Sequence, residues 1–414
     1  LTEEVPPRFL LYSHDGMGLG HTRRNLAIAR ALAGTSPGAA ILLATGTDGV
    51  ASLGIPEGVE ILKMPGLRKV ANGRYVSRRL TVPEADIRDL RKQLLESVVL
   101  SYSPTVMLVD KHPLGVGGEL RAALEALRAM GGMAILGLRD ILDEPTAVWD
   151  EWGREGLLED TLQYYYRVLV YGQQEIFDPT TEYRLPEALV ERTKFCGYVL
   201  NEPGTGAGER GCSPPWGASG GNKPVVLATA GGGEDGFRLL EAFIKASMGA
   251  PWKGWVVAGP NAPGTDFNAL RELGEAAEVS VTRFVAGLDG WLTSIGGLVC
   301  MGGYNTLVEA VSRGTPTVCV PRTSPRLEQS IRAEAFERLG LIRTITPDRL
   351  DSRTLRWEVT KALTMSRGDL LSRATTLLDL NGAATAAAEL VALARVALLA
   401  GESGEGVTQE VLPS

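Results

Sequence analysis

Residues 300–321 read CMGGYNTLVEAVSRGTPTVCVP, and the order of apolar runs and breaks in this stretch decides the architecture. Leu298-Val299-Cys300 suits a short buried strand. Gly302 and Gly303 follow, then a stretch with helical spacing, then Gly314 as a stop, then a second apolar run at Thr317-Val318-Cys319-Val320 closed by Pro321. Strand, glycine turn, helix and strand in so short a span make a βαβ unit, which implies a parallel sheet. Asn305 or Thr306 is placed to cap the helix. A helix start behind two glycines also favours an anion, because its first N–H groups lack helical partners and its dipole is positive there. Gly302, Gly303, Asn305 and Thr306 therefore read as a diphosphate site. Glu309, about one turn further on, is within reach of sugar hydroxyls beside it. Glu328 and Gln329 begin the next helix and can hydrogen-bond a hexose.

The same alternation extends outward from this block. Upstream lie expected strands at Val225–Thr229, Trp255–Ala258 and Val279–Phe284, with helices near 235–247 and 266–274. The first 200 residues repeat the pattern: strand Arg8–Ser13, helix 22–33, strand Ala40–Ala44, helix 84–101, strand 106–109, helix 115–130, strand Ala134–Leu138, helix 151–166 and strand Arg167–Tyr171. Between the halves, residues 201–222 (NEPGTGAGERGCSPPWGASGGN) carry no apolar period and read as a linker. The fold class is α/β, and a cleft between the halves is expected. The expected division is 1–200, a linker at 201–222, 223–395, and a flexible tail at 396–414 after an Ala/Leu-rich helical stretch at 369–400.

Length and composition narrow the class. At 414 residues the chain fits two domains of roughly 150–200 residues each. A formal charge of −7 argues against a nucleic-acid-binding surface, since no basic excess is present to displace counterions from phosphates. The four cysteines show no paired spacing, so neither a disulfide framework nor a zinc site is expected. No apolar run is read as approaching the roughly 18–20 residues of a membrane span, and the start lacks a signal-peptide pattern; a cytoplasmic location is the expectation.

A second glycine-rich stretch, HDGMGLGHTRRNLAIARAL at 14–32, follows the first strand. Its G-x-G-x-G-H spacing lacks the third glycine of the dinucleotide fingerprint, and no acidic residue closes the next strand, so a nicotinamide enzyme is disfavoured. Gly18 and Gly20 let a substrate approach the backbone. His14 and His21 are alternative candidates for a general base, or are structural histidines bonded to backbone. VMLVDKHPLG at 106–115 delivers Asp110 and His112 to the same sheet edge, where Asp110 can orient His21 as a base or merely cap a turn. Arg139, Asp140 and Asp143 end the following strand and either bind a substrate or pair with one another. Residues 66–80 (GLRKVANGRYVSRRL) hold five basic groups and no acid, a solvated loop or a patch for an anionic acceptor or membrane surface.

Taken together, the GMGLGH loop, the glycines of ATAGGG at 228–233, FVAGLDGWLTSIGGLVCMGGYNTLVEA at 284–310, RGTPTVCVP at 313–321 and the Glu328-Gln329 pair resemble the GT-B glycosyltransferases. The resemblance is greatest to the bacterial family that adds N-acetylglucosamine to the undecaprenyl cell-wall precursor. It implies two Rossmann-like domains facing each other across a cleft, with the acceptor side in the first half and the nucleotide-sugar side in the second. By that resemblance Phe284 and Val285 meet the base, Glu309 binds the ribose of a UDP-type donor, Gly302, Gly303, Asn305 and Thr306 hold the diphosphate, Glu328 with Gln329 reads the sugar, and Gly232 belongs to the same donor side. His21 backed by Asp110 would be the base of an inverting transfer, and His14, Gly18, Gly20, His112, Arg139 and Asp140 would line the acceptor side. Neither metal nor cofactor is implied, because helix dipole and backbone N–H groups serve the leaving diphosphate.

The sequence departs from that family at two places. Glu328-Gln329 stands where the family has a glutamine pair, and HTRRN follows the first loop where cell-wall enzymes have an aromatic-proline sequence. Arg23 and Arg24 are thus expected as basic groups at the mouth of the acceptor cleft, and a small-molecule acceptor of secondary metabolism is favoured over a cell-wall lipid. The competing readings are a non-hydrolysing nucleotide-sugar epimerase and a nucleotide-sugar-binding protein without catalysis.

Overall fold

The computed structural model describes residues 6–14, 19–69, 75–154, 156–201, 216 and 223–403. The chain divides into two units, one of Leu1–Leu200 with Asn381–Ser414 and one of Asn201–Leu380. In the first, the described strands are β1 (Arg8–Tyr12), β2 (Ala40–Thr45), β3 (Val59–Lys63), β4 (Leu67–Lys69), β5 (Tyr75–Ser77), β6 (Val106–Asp110), β7 (Met133–Arg139), β8 (Tyr165–Tyr171) and β9 (Thr193–Phe195). Seven of these make one parallel sheet in the order β3-β2-β1-β6-β7-β8-β9, and β4 and β5 form a separate antiparallel hairpin. Strands such as Val106–Asp110 are buried throughout. Helices cover both sheet faces, which is why the central strands read as continuous apolar runs rather than alternating ones.

Strand order reverses between β1 and β6, which pair from Phe9↔Val106 to Tyr12↔Val109. At such a switch point the two following connections leave toward opposite sides and open a crevice above the strand ends. Here the connections begin at Ser13 and Lys111, so the two histidine-bearing motifs meet there.

The second unit has β10 (Val225–Thr229), β11 (Lys253–Val257), β12 (Ser280–Thr282), β13 (Gly297–Cys300), β14 (Thr317–Cys319) and β15 (Arg343–Thr344). They form a parallel sheet in the order β12-β11-β10-β13-β14-β15. Its reversal lies between β10 and β13, with Thr229 opposite Cys300. The two glycine-rich turns, Gly231-Gly232-Gly233 and Gly302-Gly303, therefore leave from adjacent strand ends.

Several boundaries differ from the sequence reading. The last helix, Gly382–Ser403, belongs to the first unit, so the second ends at 380 rather than 395, and residues 396–403 are helical rather than tail. That helix packs along the first helix, Gly20–Thr35, and against β6 and β7. The stretch Arg367–Gly401 is long and apolar enough to cross a membrane by length and composition, against the expectation that no run would be. Its Ala386, Ala387, Leu390, Leu393 and Ala394 are buried, and Glu389 is held by Arg167 at 3.0 Å and Lys194 at 2.6 Å. The stretch is broken at 378–381, because the helix Arg367–Leu377 ends before Asn381-Gly382. The helix expected at 151–166 is two, Pro145–Arg154 and Leu157–Tyr164, ahead of β8. Gly18, Arg74, Cys212, most of the linker and residues 404–414 lie outside the described residues. Within the linker region Trp216 is described, buried with its ring 5.0 Å from that of Trp255 and 5.3 Å from that of Trp291.

Candidate functional site

In the first unit, β6 ends on Asp110 and the first helix begins at Gly20, which sets His21 over the strand end. His21 Nδ1 lies 2.5 Å from Asp110 Oδ2. Arg24, one helical turn on, donates from Nη2 to Asp110 Oδ1 and also lies 3.1 Å from His21 Nδ1. An arginine only donates and an ionised carboxylate only accepts, so the consistent tautomer has Nδ1–H donating to Asp110. Nε2 is then the ring's acceptor. The His21 side chain is 12% exposed, against 1% for Asp110 and 2% for Arg24.

Burial pushes the His21 imidazole down to about 4, outweighing the stabilisation of its cation by Asp110. For Asp110 burial alone would raise the carboxyl, but Arg24 and His21 reverse this and hold it well below the usual carboxylate range. At neutral pH the site thus holds an ionised carboxylate, a guanidinium and a neutral imidazole with a free acceptor nitrogen.

All three histidines of the chain gather here. The His14 ring is 5.7 Å from that of His21 and stacks on His112 at 6.3 Å, with Tyr75 edge-on at 6.4 Å. His14 is buried, neither ring nitrogen has a hydrogen-bond partner among the described residues, and burial lowers its proton affinity well below the ordinary value. Hydroxyl contacts among Ser13, Thr22, Thr45 and Thr47 tie the loop end to β2 and to the helix.

These shifts fix the sign of the acid response. Between pH 6.5 and about 4 the unfolded chain binds a proton that folded His21 does not. Stability is therefore fully present above pH 6.5 and falls as pH drops through that window, by about 3 kcal/mol for a shift of this size. His14 adds a loss of the same sign. Urea unfolding of the first unit at pH 7 and pH 5 measures it; equal stability at both would refute the neutral assignment.

Two expectations are corrected. Arg24 is no basic group at a cleft mouth: it is buried on Asp110, with its guanidinium carbon 5.2 Å from the Tyr171 ring centroid. The run at 66–80 holds no acid of its own, but two of its arginines meet one from outside it, so they are not a free basic patch. Lys63, Arg78 and Arg79 converge on Asp48 at 3.4, 3.9 and 3.2 Å. Arg139 and Asp140 end β7 on the same sheet edge, where Asp140 Oδ1 accepts from the Ile141 backbone and Asp143 Oδ1 from that of Glu144.

In the second unit, Gly302 has φ +82° and a Cβ there would stand 2.9 Å from Cys319 Sγ, so the turn requires glycine. The helix Tyr304–Ser312 is capped by Gly303 with no side-chain bond. Asn305 and Thr306 thus lie in its first turn instead of capping it, because the preceding extended glycine occupies the cap. Gln329 backs onto this loop, 3.4–3.6 Å from the built Cβ of Gly302, and its Oε1 accepts from the Arg322 backbone at 3.1 Å. Glu328 is buried beside Arg322 Nη2 at 3.3 Å, and Arg322 Nη1 donates to Asp235 at 2.9 Å. Glu309 is buried and its Oε1 accepts from Asn201 at 2.9 Å.

Gly232, Gly302, Gly303, Asn305, Thr306, Glu309, Glu328 and Gln329 are therefore grouped around one switch point. Phe284 and Val285 stand apart from it, beyond the end of the edge strand β12, with Phe284 43% exposed. The sequence reading missed Arg332, fully buried, which donates to the Gly302 carbonyl at 3.0 Å and lies over the Tyr304 ring at 5.6 Å. Its place one turn after Glu328, on the helix Glu328–Arg338, was the available signal. Cys196, Cys300 and Cys319 are buried and form no disulfide among the described residues. Among the described residues no group of three or more His, Cys, Asp or Glu has an arrangement able to hold a metal ion.

Two parallel sheets, each with its motifs at the switch point, are of the GT-B class of fold, and solved structures bear this out. No family model and no curated protein matches the chain. A UDP-glucosyltransferase from Polygonum tinctorium capable of glucosylating indoxyl is 14% identical, with 95% of this chain and 99% of that one covered at a TM-score of 0.64. The glycosyltransferase VinC in complex with dTDP is 16% identical, covering 94% and 99% at 0.61. MurG of Acinetobacter baumannii is 14% identical, covering 94% and 99% at 0.58. At these identities the likeness is one of fold, and MurG stands beside enzymes of other kinds, so the resemblance to the cell-wall family narrows to GT-B architecture.

Proposed function

We propose that the chain is an inverting glycosyltransferase that moves a hexose-type sugar from a nucleotide-sugar donor, UDP-linked, to a hydroxyl or amine of a small-molecule acceptor. The observation that carries this reading is the His21–Asp110 pair at the first switch point, a neutral imidazole whose Nδ1–H is fixed and whose Nε2 is left to accept a proton. As the acceptor oxygen bonds to the anomeric carbon, its proton passes to His21 Nε2 and the carbon–oxygen bond to the diphosphate breaks. Asp110 stabilises the imidazolium so formed. The leaving diphosphate keeps the bonding electrons and is met by the first-turn N–H groups of the helix Tyr304–Ser312, whose cap supplies no competing side chain. His14, Gly20 and His112 line the acceptor side, with Gly18, Arg139 and Asp140 assigned there as well.

Of the similar structures, one is a UDP-glucosyltransferase and another is in complex with dTDP. Glu309 favours a ribonucleotide, because a buried carboxylate can accept from both ribose hydroxyls and deoxyribose offers only one. A ligand at a hundred times its Kd stabilises by about 2.7 kcal/mol. Thermal unfolding should therefore shift upward with UDP more than with dTDP, and Glu309→Ala should abolish the difference. No shift with any nucleotide would sink the donor reading.

A further inference from the structure

The geometry points to Arg24 as a positioning residue that divides the Asp110 carboxylate with His21, holding one oxygen so that the other meets Nδ1 and limiting how strongly the imidazole binds a proton. This deepens the reading of His21 as base and rests on it.

Arg24 and His21 are three apart on one helix, hence on one face. Asp110 gives Oδ1 to the guanidinium and Oδ2 to the imidazole. Arg24 is itself fixed by burial and by the Tyr171 ring, so the carboxylate cannot rotate to give both oxygens to His21. A permanent cation on the carboxylate cancels much of the field that would otherwise stabilise imidazolium. Among the described residues the other charged or titratable groups acting on His21 are Lys111, which follows β6, and His14, which carries His112 stacked on it; none of these offsets Arg24 with negative charge. Burial does most to keep the His21 ring neutral, and Arg24 lowers its proton affinity further. A His–Asp pair without that cation would bind its proton more tightly, so Arg24 keeps Nε2 available further into acid.

The test is a histidine-selective NMR titration of the full chain from pH 5 to 8, with His21 assigned by loss of its signal in His21→Gln. In the wild type His21 stays neutral across this range. In Arg24→Gln its midpoint rises from about 4 by at least about one unit for loss of an adjacent charge, so that the ring is half or more protonated at pH 5. Arg24→Lys keeps a cation on Asp110 and should leave His21 neutral. If glutamine prevents folding, Arg24→Met, which fills similar space beside Tyr171, is the second neutral variant. A His21 that still does not titrate in a folded neutral variant would overturn the proposal. So would one that titrates as readily in Arg24→Lys as in Arg24→Gln.

On the activity side, the acid limb of the kcat/KM profile should move up with the NMR midpoint while KM for the donor holds. A wild type that transfers no sugar to any acceptor would fail the reading of function and leave the titration result standing.

Discussion

Replacing His21 by alanine is expected to lower sugar transfer by about 10²–10⁴-fold, the range that a general base supplies, while leaving nucleotide binding by the second unit unchanged. The reason is the division of labour between two switch points. His21 Nε2 is the one acceptor that the Asp110 contact at 2.5 Å orients in the first unit, whereas Gly302, Gly303, Glu309, Glu328 and Gln329 belong to the second. Measured kcat should fall and the thermal shift with UDP should persist. Asp110→Asn should fall by a similar factor, because an amide can donate to Nδ1 and so select the wrong tautomer. Full activity in His21→Ala would remove the base assignment; lost nucleotide binding in that variant would mean the two units do not act separately.

Much of the fold was legible in the sequence because its signals are local. Apolar runs such as Phe9–Tyr12 and Val106–Val109, each followed by glycine or polar residues, mark buried parallel strands without reference to anything distant. The pairing of His21 with Asp110 was also within reach, since parallel strands share an edge. Of the strands of two or three residues, β4, β5, β9 and β15 carry too little pattern to be seen, whereas β12 and β14 lie inside the longer apolar runs at 279–284 and 317–320.

What stayed hidden depends on long-range contact. Gly382–Ser403 is apolar enough to cover either sheet, and nothing in its own residues says that the first helix is its partner. Arg24 looked like a surface charge because arginines usually are; only the strand end 86 residues later turns it inward. Arg332 was hidden for the same reason, its acceptor being the carbonyl of Gly302 thirty residues earlier.

The second large effect concerns the scaffold beneath the histidines. Arg91, fully buried on the helix Glu84–Tyr102, donates from Nε and Nη2 to the two oxygens of Glu119 at 2.6 and 2.7 Å, and from Nη1 to the Pro65 carbonyl at 2.6 Å. The Tyr12 hydroxyl donates to Glu119 Oε1 at 2.5 Å. This network joins β1, the helix and the approach to the β4–β5 hairpin just below Ser13 and His14. Arg91→Met should destabilise the first unit by about 3–5 kcal/mol, because it strands a carboxylate in the interior. In a unit of this size each kcal/mol lowers Tm by roughly 2–4 °C, so a fall of about 10 °C is expected in its transition. Replacing both partners, Arg91→Met with Glu119→Leu, should recover much of that loss, since the damage comes from the unpaired charge rather than from the missing bonds. A single variant within about 1 kcal/mol of wild type would show that Glu119 finds water or another partner. A double variant no better than the single would show that the geometry the pair imposes on the β1 end is what holds the unit together.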